Sequence, residues 1–428
     1  MTEQEIAGLT PAFAKYLGRY RDCFLQKRTM AHFDTYCRGL LSDLPRKSVE
    51  PIALEAGTAV RTLQEFLVAT RWDQDQARDR LQSDLAEEIA AIPTDALGTI
   101  GVIDETSCQK WGDQTPGVQR QYLGCVGKVD NGIVTVHVGV AKGRFQALLD
   151  ADLYLPQSWD KDRERCRAAG IPDEVVYQPK WRIALDQVVR LNDNGVSFDW
   201  LIFDEGYGAA VPFLRILNLV HQRFVAEVPV NFMVCDTQAG VARRADECLS
   251  AAKAKAGRRY RLKHQTVADS VWRAVEATVW AADHAQRLVV AINEATAEVK
   301  YFLTNATEVP LARVMAVAFR RWTVEHSFRL AKQEAGLMHY EGRSYLGLIR
   351  HLTLALVVLG FVATHTERLR GEKSRRDRRA SVPSVESTLR DDFSSPARNT
   401  RDAAYKRSHS ISPATQQRGN EVPQETAA

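Results

Sequence analysis

Cysteine is scarce in this 428-residue sequence, and its seven cysteines are scattered along the chain. None forms a Cys-x-x-Cys pair, so a zinc ribbon or a paired-cysteine redox motif is not indicated. An odd, dispersed set also argues against a disulfide framework and fits reduced thiols in a cytoplasmic protein. The seven are Cys23, Cys37, Cys108, Cys125, Cys166, Cys235 and Cys248.

The sequence also lacks a long hydrophobic run, a targeting segment and a phosphate loop. Its most apolar stretch, 352–364, is shorter than the ~20 residues that a membrane-spanning helix needs. This length predicts a buried helix and no membrane partner. The start, Met-Thr-Glu-Gln-Glu, has neither the basic nor the apolar part of a signal peptide. No Gly-x4-Gly-Lys-Ser/Thr loop occurs, so ATP use is not indicated.

Net charge is small, +4, but it is unevenly distributed. The stretch 368–407 has twelve basic and six acidic residues, and a second basic cluster has no acid within it. Such clusters can contact phosphates even when the whole chain is nearly neutral, although a solvated face is an equally good interpretation of either. The second cluster, called the basic cluster below, consists of Lys253, Lys255, Arg258, Arg259, Arg261 and Lys263.

Residues 1 to about 95 have the apolar spacing of helices, as at Phe13 and Leu17. Within this region, a short helix, a turn at Gly57 and a second helix with Arg61 and Gln64 near its start would suit a helix-turn-helix. The same pattern is common in helical bundles that bind nothing. DNA recognition and ordinary packing therefore both stay open here.

From residue 98 the sequence predicts strands. Two short apolar strands, 98–104 and 198–204, each end in a carboxylate. The tripeptide Asp130-Asn131-Gly132 separates two other apolar runs, which predicts a hairpin turn at Asn-Gly. The remaining predicted strands are 119–127, 133–141, 147–155, 223–235, 288–293 and 299–304, and the predicted helices are 181–191, 212–221, 311–333 and 345–369.

Asp104 and Asp204 end the two apolar strands, so they are candidates for meeting at one end of a sheet. With a third carboxylate they would form a site for two Mg²⁺ ions, which prefer oxygen ligands and can act together on a phosphodiester. Strand-terminal Asp residues are also common as caps and salt-bridge partners, so this pair alone does not indicate catalysis.

The helix around Glu325 strengthens the catalytic interpretation. Arg321 lies four residues before Glu325 and Lys332 seven residues after it, so all three share one helix face. An acid that holds metal, flanked by cations that hold phosphate oxygens, is what a DNA-cleaving site needs. An exposed ion-pair ladder has the same spacing and is the simpler alternative.

With these residues, the sequence resembles the DDE transposases of bacterial insertion sequences. It is similar in particular to the branch with a β-rich insertion before the catalytic Glu. That branch has a Tyr-x2-Arg-x3-Glu-x6-Lys signature. Arg321, Glu325 and Lys332 match its last three members, and Ala318 occupies the Tyr position. The resemblance covers roughly residues 10 to 365, and its other matching blocks are Ile103-Asp104-Glu105-Thr106, Gln119-Arg120-Gln121-Tyr122, Gly127-Lys128-Val129-Asp130-Asn131 and Phe203-Asp204-Glu205-Gly206-Tyr207-Gly208.

The resemblance implies that Asp104, Asp204 and Glu325 are catalytic metal ligands for two Mg²⁺ or Mn²⁺ ions. It also implies that Arg321, Lys332 and the basic cluster contact DNA. The implied reaction hydrolyses a phosphodiester at the element's end and then joins the freed 3′-hydroxyl to target DNA. The implied partners are double-stranded element ends, target DNA and a second copy of the chain, in the bacterial cytoplasm and at the nucleoid.

The implied fold is an α/β catalytic core, an RNase H-like mixed sheet with helices, with an all-α N-terminal domain and a β-rich insertion. The predicted segments are 1–95, helical and suited to DNA-end binding; 96–235, first part of the core; 236–309, the insertion; 310–369, core completion with the Glu325 helix; and 370–428, a disordered basic and polar tail.

Two other functions compete with an active transposase. The first is a transposase-derived DNA-binding protein that no longer cleaves; the presence of all three acids argues against it. The second is an RNase H-like nuclease that does not transpose; the long helical N-terminal region argues against it, because a plain nuclease needs no domain for end recognition.

Overall fold

A computed structural model of the chain describes residues 8–237, 240–262, 269–321 and 334–373. The N-terminal region is helical, as predicted, from Leu9 to Ala91. Each helix turns an apolar face inward, for example with Phe13 on the first helix and Phe33 on the second. The helices are α1 (Leu9–Leu17), a 3-10 helix (Gly18–Cys23), α2 (Lys27–Leu41), α3 (Val49–Glu55), α4 (Val60–Val68) and α5 (Gln74–Ala91).

Twelve strands of the described residues form one mixed sheet. Its order is β2-β3-β1-β5-β6-β12-β11-β10-β7-β8, with β4 paired to β3 and β9 paired to β10. The strands are β1 (Ile100–Gln109), β2 (Gln119–Leu123), β3 (Lys128–Lys142), β4 (Phe145–Leu153), β5 (Trp200–Phe203), β6 (Phe224–Val228), β7 (Met233–Asp236), β8 (Val241–Arg244), β9 (Arg258–Leu262), β10 (Ser270–Ala281), β11 (His284–Asn293) and β12 (Val299–Thr304).

The central part of this sheet has the arrangement expected of an RNase H-like core. Strands β4, β3 and β1 form an antiparallel meander, and β5 and β6 continue from β1 in parallel. The helices that follow β4 are α6 (Gln157–Asp160), α7 (Arg163–Ala168), α8 (Lys180–Asp193), α9 (Glu205–Gly208), α10 (Val211–Leu219), α11 (Ala245–Cys248), α12 (Ala251–Lys255), α13 (Leu311–Ala318) and α14 (Tyr345–Lys373). The predicted α/β class is confirmed.

The segment predicted as a β-rich insertion contains β8 to β12, and its long strands extend the core sheet. Strand β12 pairs with β6, and β11 and β10 follow outward. The prediction of one strand over 223–235 is wrong, because the chain forms β6 and then β7 with Pro229 between them. Proline has no N–H for a sheet ladder, so it interrupts the strand there.

The predicted hairpin turn at Asn131-Gly132 is also wrong. Both residues lie inside β3, and the turn comes earlier, where Val126 and Gly127 donate backbone hydrogen bonds to Leu123. A Cβ at position 132 would lie 2.4 Å from the carbonyl oxygen of Cys108. Gly132 is therefore needed for close packing of two strands and not for the conformation of a turn.

Helix α14 is the buried helix that the sequence predicts. By length and composition Tyr345–Arg368 could span a membrane, but 78% of its most apolar window is buried inside this fold. The N-terminal helices form hydrogen bonds with α14. The Tyr16 hydroxyl donates a hydrogen bond to the Val357 carbonyl at 3.0 Å. The Arg350 guanidinium donates to four backbone carbonyls between Phe66 and Trp72. The tail from 374 to 428, predicted to be disordered, lies outside the described residues.

His351 on α14 makes fold stability depend on pH. Its Nε2 donates to the Gly336 carbonyl at 2.9 Å, and its Nδ1 lies 2.9 Å from the Tyr36 hydroxyl, which donates to it when the ring is neutral. Burial lowers its pKa to about 4. Stability from this group is therefore present above the unfolded pKa, ~6.5, and is lost as pH falls toward 4.

The free energy of unfolding is compared between wild type and His351→Gln, each relative to its own value at pH 7. Between pH 7 and pH 5, we expect it to fall by roughly 2 kcal/mol more in the wild type than in the variant. Denaturant unfolding at the two pH values measures it. The difference between the proteins cancels other titrating groups, such as Asp150, whose pKa burial raises to about 6. If the unfolding free energies of the two proteins change in parallel with pH, His351 is not the source of this pH dependence.

A carboxylate pair at the end of two parallel strands

Asp104 and Asp204 lie side by side because of the register between β1 and β5. The last paired residues of these parallel strands are Ile103 and Phe203, and each Asp is the next residue. Neighbouring strands are ~4.8 Å apart. The prediction that β1 ends at Asp104 is wrong, since the strand continues to Gln109 in its antiparallel pairing with β3. Asp104 instead marks the point where β1 separates from β5.

Asp204 is held by the start of a helix. Its side chain caps α9, accepting backbone N–H groups of Gly206 at 3.0 Å and Tyr207 at 3.3 Å on Oδ1. Oxygen acceptors at this position satisfy N–H groups that have no partner within the helix. The cap therefore fixes the orientation of this carboxylate beside Asp104.

Asp104 is mostly buried, and its carboxylate accepts two hydrogen bonds. Its Oδ1 accepts the Glu105 backbone N–H at 2.8 Å, and its Oδ2 accepts from Nη1 of Arg321 at 3.2 Å. Burial raises the pKa of Asp104 to about 7; Arg321 opposes that rise, and the charge of Asp204 adds to it. Among the described residues, burial and the charge of Asp204 therefore oppose ionisation of Asp104, and the Arg321 guanidinium favours it.

The structure distinguishes each Asp from its acidic neighbour. Glu105 points to the opposite face of β1 and forms a 2.6 Å ion pair with Lys180 on α8. Glu205 is exposed on α9, whereas Asp204 directly follows β5 and lies beside Asp104. The geometry is consistent with choosing Asp104 over Glu105 and Asp204 over Glu205.

Two predicted site residues, Glu325 and Lys332, lie outside the described residues, as does Lys263 of the basic cluster. The described residues on either side of 322–333 both contact the face of β1 that carries Asp104. On one side Arg321 contacts Asp104, and on the other the carbonyl of Met338 accepts from the Cys108 thiol at 3.3 Å. Cys108 is four residues beyond Asp104 on that strand, so its side chain shares the same face.

The carboxylate pair fits a divalent cation by its chemistry. Its oxygen donors are adjacent, and Asp104 and Asp204 are close enough that the charge of Asp204 raises the pKa of Asp104, after the larger effect of burial. Among the described residues, no three His, Cys, Asp or Glu side chains are grouped to hold a metal ion. A third ligand would have to come from elsewhere, and the predicted one, Glu325, is outside that part of the chain.

The described members of the basic cluster lie on α12 and β9, with Arg258 and Arg261 on opposite faces of β9. Lys263 lies outside the described residues. Lys253, Lys255, Arg258 and Arg261 are exposed. Arg259 differs, because its guanidinium pairs with Glu294 at 3.0 Å. The sequence showed no acid within the cluster, but the end of β11 brings one to it.

Two tryptophans of β10 differ in burial. Trp272 is fully buried against Phe319. Trp280 is 50% exposed. The two lie eight residues apart on β10, where burial depends on which neighbouring strand covers each position.

Sequence reasoning missed two groups at this site. His137 is buried on β3 directly opposite Asp104 in the antiparallel register, so both side chains lie on one face. The Tyr207 hydroxyl is buried with no hydrogen-bond partner among the described residues, and burial and the carboxylates of Glu105, Asp104 and Asp204 raise its pKa. Only the Gly206-Tyr207-Gly208 block gave a hint of the second.

The two short helices predicted on either side of Gly57 are present. Helices α3 and α4 are joined through Gly57, whose φ of +63° favours glycine. Arg61, at the start of α4, is exposed and pairs with Glu65 at 2.8 Å. The geometry fits both a DNA-reading pair and an ordinary pair of packed helices.

Comparison with known proteins finds a family match over residues 19–296, described as DDE superfamily endonuclease. This range includes Asp104 and Asp204 and ends before Glu325. The chain is also similar to a protein of Microchaete diplosiphon called "Probable transposase for insertion sequence element IS701", with 30% identity over 223 residues. That alignment covers 51% of this chain and 54% of the relative, so it spans about half the length of the relative.

Proposed function

Because the chain belongs to the DDE superfamily endonucleases, we propose that it is a DNA transposase that cuts and joins the ends of an insertion sequence. The observation that carries the proposal is the placement of Asp104 beside Asp204, with Arg321 on Asp104. Adjacent carboxylates at the end of parallel strands, next to a guanidinium, are suited to holding a charged phosphodiester and its cations.

We infer that Asp104, Asp204 and Glu325 hold two divalent cations, Mg²⁺ or Mn²⁺. When bound, the ions supply Lewis-acid activation and neutralise charge at the phosphodiester. The protein orients the ligands: the α9 cap positions Asp204, and the Glu105 N–H positions one oxygen of Asp104. Arg321 and Lys332 would hold phosphate oxygens of the DNA beside these ligands.

The support for Glu325 is its place in the chain. It follows Arg321 by four residues in the sequence, and Arg321 contacts Asp104. The chain then returns to the same face of β1 at Met338. A residue between two such contacts is well placed to reach the carboxylate pair.

Domain roles are proposed from the same argument. Residues 1–95 would bind element ends through α3 and α4, 96–235 and 310–369 would form the catalytic core, 236–309 the insertion, and 370–428 a basic tail. Two copies would act on paired ends in the bacterial cytoplasm. The basic cluster, which is exposed on the insertion, would contact double-stranded DNA.

Neutralising the basic cluster should weaken DNA affinity and flatten its salt dependence, because fewer counterions are released when the protein neutralises fewer phosphates. A variant carrying Lys253→Gln, Lys255→Gln, Arg258→Gln, Arg261→Gln and Lys263→Gln should lower the slope of log affinity against log salt. The expected change is about one unit for each phosphate that the variant no longer neutralises. Anisotropy titrations at several salt concentrations measure it.

Arg259→Gln provides the control for that prediction. Arg259 is already paired with Glu294, so its replacement should change the slope less than Arg261→Gln does. A slope equal to that of the wild type in the five-fold variant would show that this surface faces solvent in the complex.

The proposed function is tested with purified protein and duplexes that carry the terminal repeats flanking the gene. Nicking at the repeat end in Mg²⁺ or Mn²⁺, its loss in chelator, and joining of the freed 3′-hydroxyl to target DNA are expected. Binding without nicking would instead favour a transposase-derived DNA-binding protein. Nicking without preference for repeats or joining would favour an RNase H-like nuclease.

A further inference from the structure

A hairpin formed by β2 and β3, with the loop before it, projects an exposed aromatic surface. Trp111 is 89% exposed and Tyr122 is 60% exposed. Val129, directly opposite Tyr122 on β3, is exposed as well. Leaving such large apolar groups in water is unfavourable unless a partner covers them. We call the set Arg120, Trp111, Tyr122 and Val129 the hairpin surface.

The strand register places this surface on the same side of the sheet as Asp104. Asp104 lies opposite His137 on β3, and Tyr122 lies opposite Val129. His137 and Val129 are separated by an even number of residues on one strand, so their side chains share a face. Arg120 lies opposite Asn131, six residues along β3 from His137, and Tyr122 lies opposite Val129, eight residues from it. At ~3.3 Å per residue, the surface extends from ~20 Å to ~26 Å from the carboxylate pair.

Trp111 is exposed but its backbone is fixed. Asn131 holds the loop through three hydrogen bonds: its carbonyl accepts from the Lys110 N–H at 2.9 Å, and its amide donates to the carbonyls of Lys110 at 2.7 Å and Gly112 at 2.9 Å. Arg165 donates to the Asp113 carbonyl at 2.7 Å. An aromatic ring on a fixed backbone loses little entropy on binding, which favours its use as a contact.

The charge around the hairpin surface favours a polyanion. Four cations lie on or beside it, against one acid, Asp113. Hydrogen bonds from Gln114 and from the Asp113 backbone lower the pKa of Asp113, and the nearby charges of Arg165 and Arg343 lower it further. The four cations are Lys110, Arg120, Arg165 and Arg343.

We propose that the hairpin surface contacts duplex DNA at about 6 to 8 base pairs from the scissile phosphate, with cations on the backbone and aromatic rings on the sugars and bases. The spacing follows from ~3.4 Å per base pair along a straight duplex. This inference rests on the proposed function, since it takes Asp104 and Asp204 as the point of cleavage. It adds a substrate contact outside the catalytic residues and the basic cluster.

The test uses a full-length variant, Trp111→Ala with Tyr122→Ala, and Trp280→Ala as a matched exposed-tryptophan control. Binding is measured by anisotropy without divalent cation on two terminal-repeat duplexes. One extends ~4 and the other ~15 base pairs on either side of the repeat end, so only the longer one reaches the hairpin. Melting temperatures check that each variant folds.

We expect the double variant to bind the long duplex at least ~10-fold more weakly than wild type and to bind the short one equally. The Trp280→Ala protein should match wild type on both. Equal affinity on the long duplex, or an equal loss on both, overturns the proposal. A changed oligomeric state in sedimentation with unchanged DNA affinity also overturns it, since a second copy would then cover the surface. If the wild-type protein binds neither duplex, the proposed function itself is contradicted.

Discussion

Asp104→Asn and Asp204→Asn should each reduce cleavage of terminal-repeat DNA by at least ~10³-fold while leaving DNA binding within a few-fold of wild type. A carboxylate ligand contributes several kcal/mol of charge stabilisation that exists only when the cation and the reacting phosphate are in place. The asparagine side chain keeps the shape of the aspartate but not its charge. Single-turnover cleavage and anisotropy, measured on one substrate, separate the two effects.

The fold should survive both changes. Asp104 is a mostly buried carboxyl whose pKa is raised to about 7, so removing its charge relieves a desolvation cost. An unchanged or higher melting temperature is therefore expected for Asp104→Asn. Glu205→Gln, next to Asp204 but exposed, is the matched control and should cleave normally. Near-normal cleavage by either Asp variant would remove that residue from the site.

Glu325→Gln is expected to fold, bind element ends as well as wild type and lose cleavage in Mg²⁺. The substitution preserves size and helix propensity but removes the charge that would hold a hard cation. Binding of the DNA should be equal or slightly tighter, because a negative charge next to phosphate is gone. Cleavage and binding assays on one preparation measure this.

The alternative for Glu325 is an exposed ion pair with Arg321, which would be worth at most ~1 kcal/mol of stability and nothing in catalysis. Glu308→Gln models that alternative, because Glu308 forms an exposed 2.9 Å pair with Arg223. If Glu325→Gln behaves like Glu308→Gln, with small stability loss and intact nicking, Glu325 is not the third ligand. The proposed chemistry would then depend on Asp104, Asp204 and a ligand yet to be found.

The sequence predicted those features that depend on local order. The helical N-terminal region, the apolar strand before Asp204 and the buried helix α14 all follow from spacing of apolar residues over ten or twenty positions. The strand before Asp104 was identified by the same spacing, but not its end. The family resemblance adds the choice of acids, since spacing alone leaves Asp104 and Glu105 equivalent.

Local signals failed where a distant segment supplied the decisive contact. Asn131-Gly132 has a strong turn preference, yet it lies inside β3, where Gly132 packs against the Cys108 carbonyl. Arg259 was grouped with free cations, but Glu294, 35 residues later, pairs with it. Trp280 is half exposed, although Trp272, eight residues earlier on the same strand, is fully buried.

What the sequence by itself determined is thus the helical character of the N-terminal region and of α14, and the two apolar strands that carry Asp104 and Asp204. Only the tertiary structure decided that β1 and β5, a hundred residues apart, are neighbours in a register that sets these carboxylates side by side. It also placed Arg321 on Asp104 and Tyr122 on the same face. The physical reason is that periodicity is encoded within one segment, whereas strand pairing depends on how all segments together bury their apolar faces.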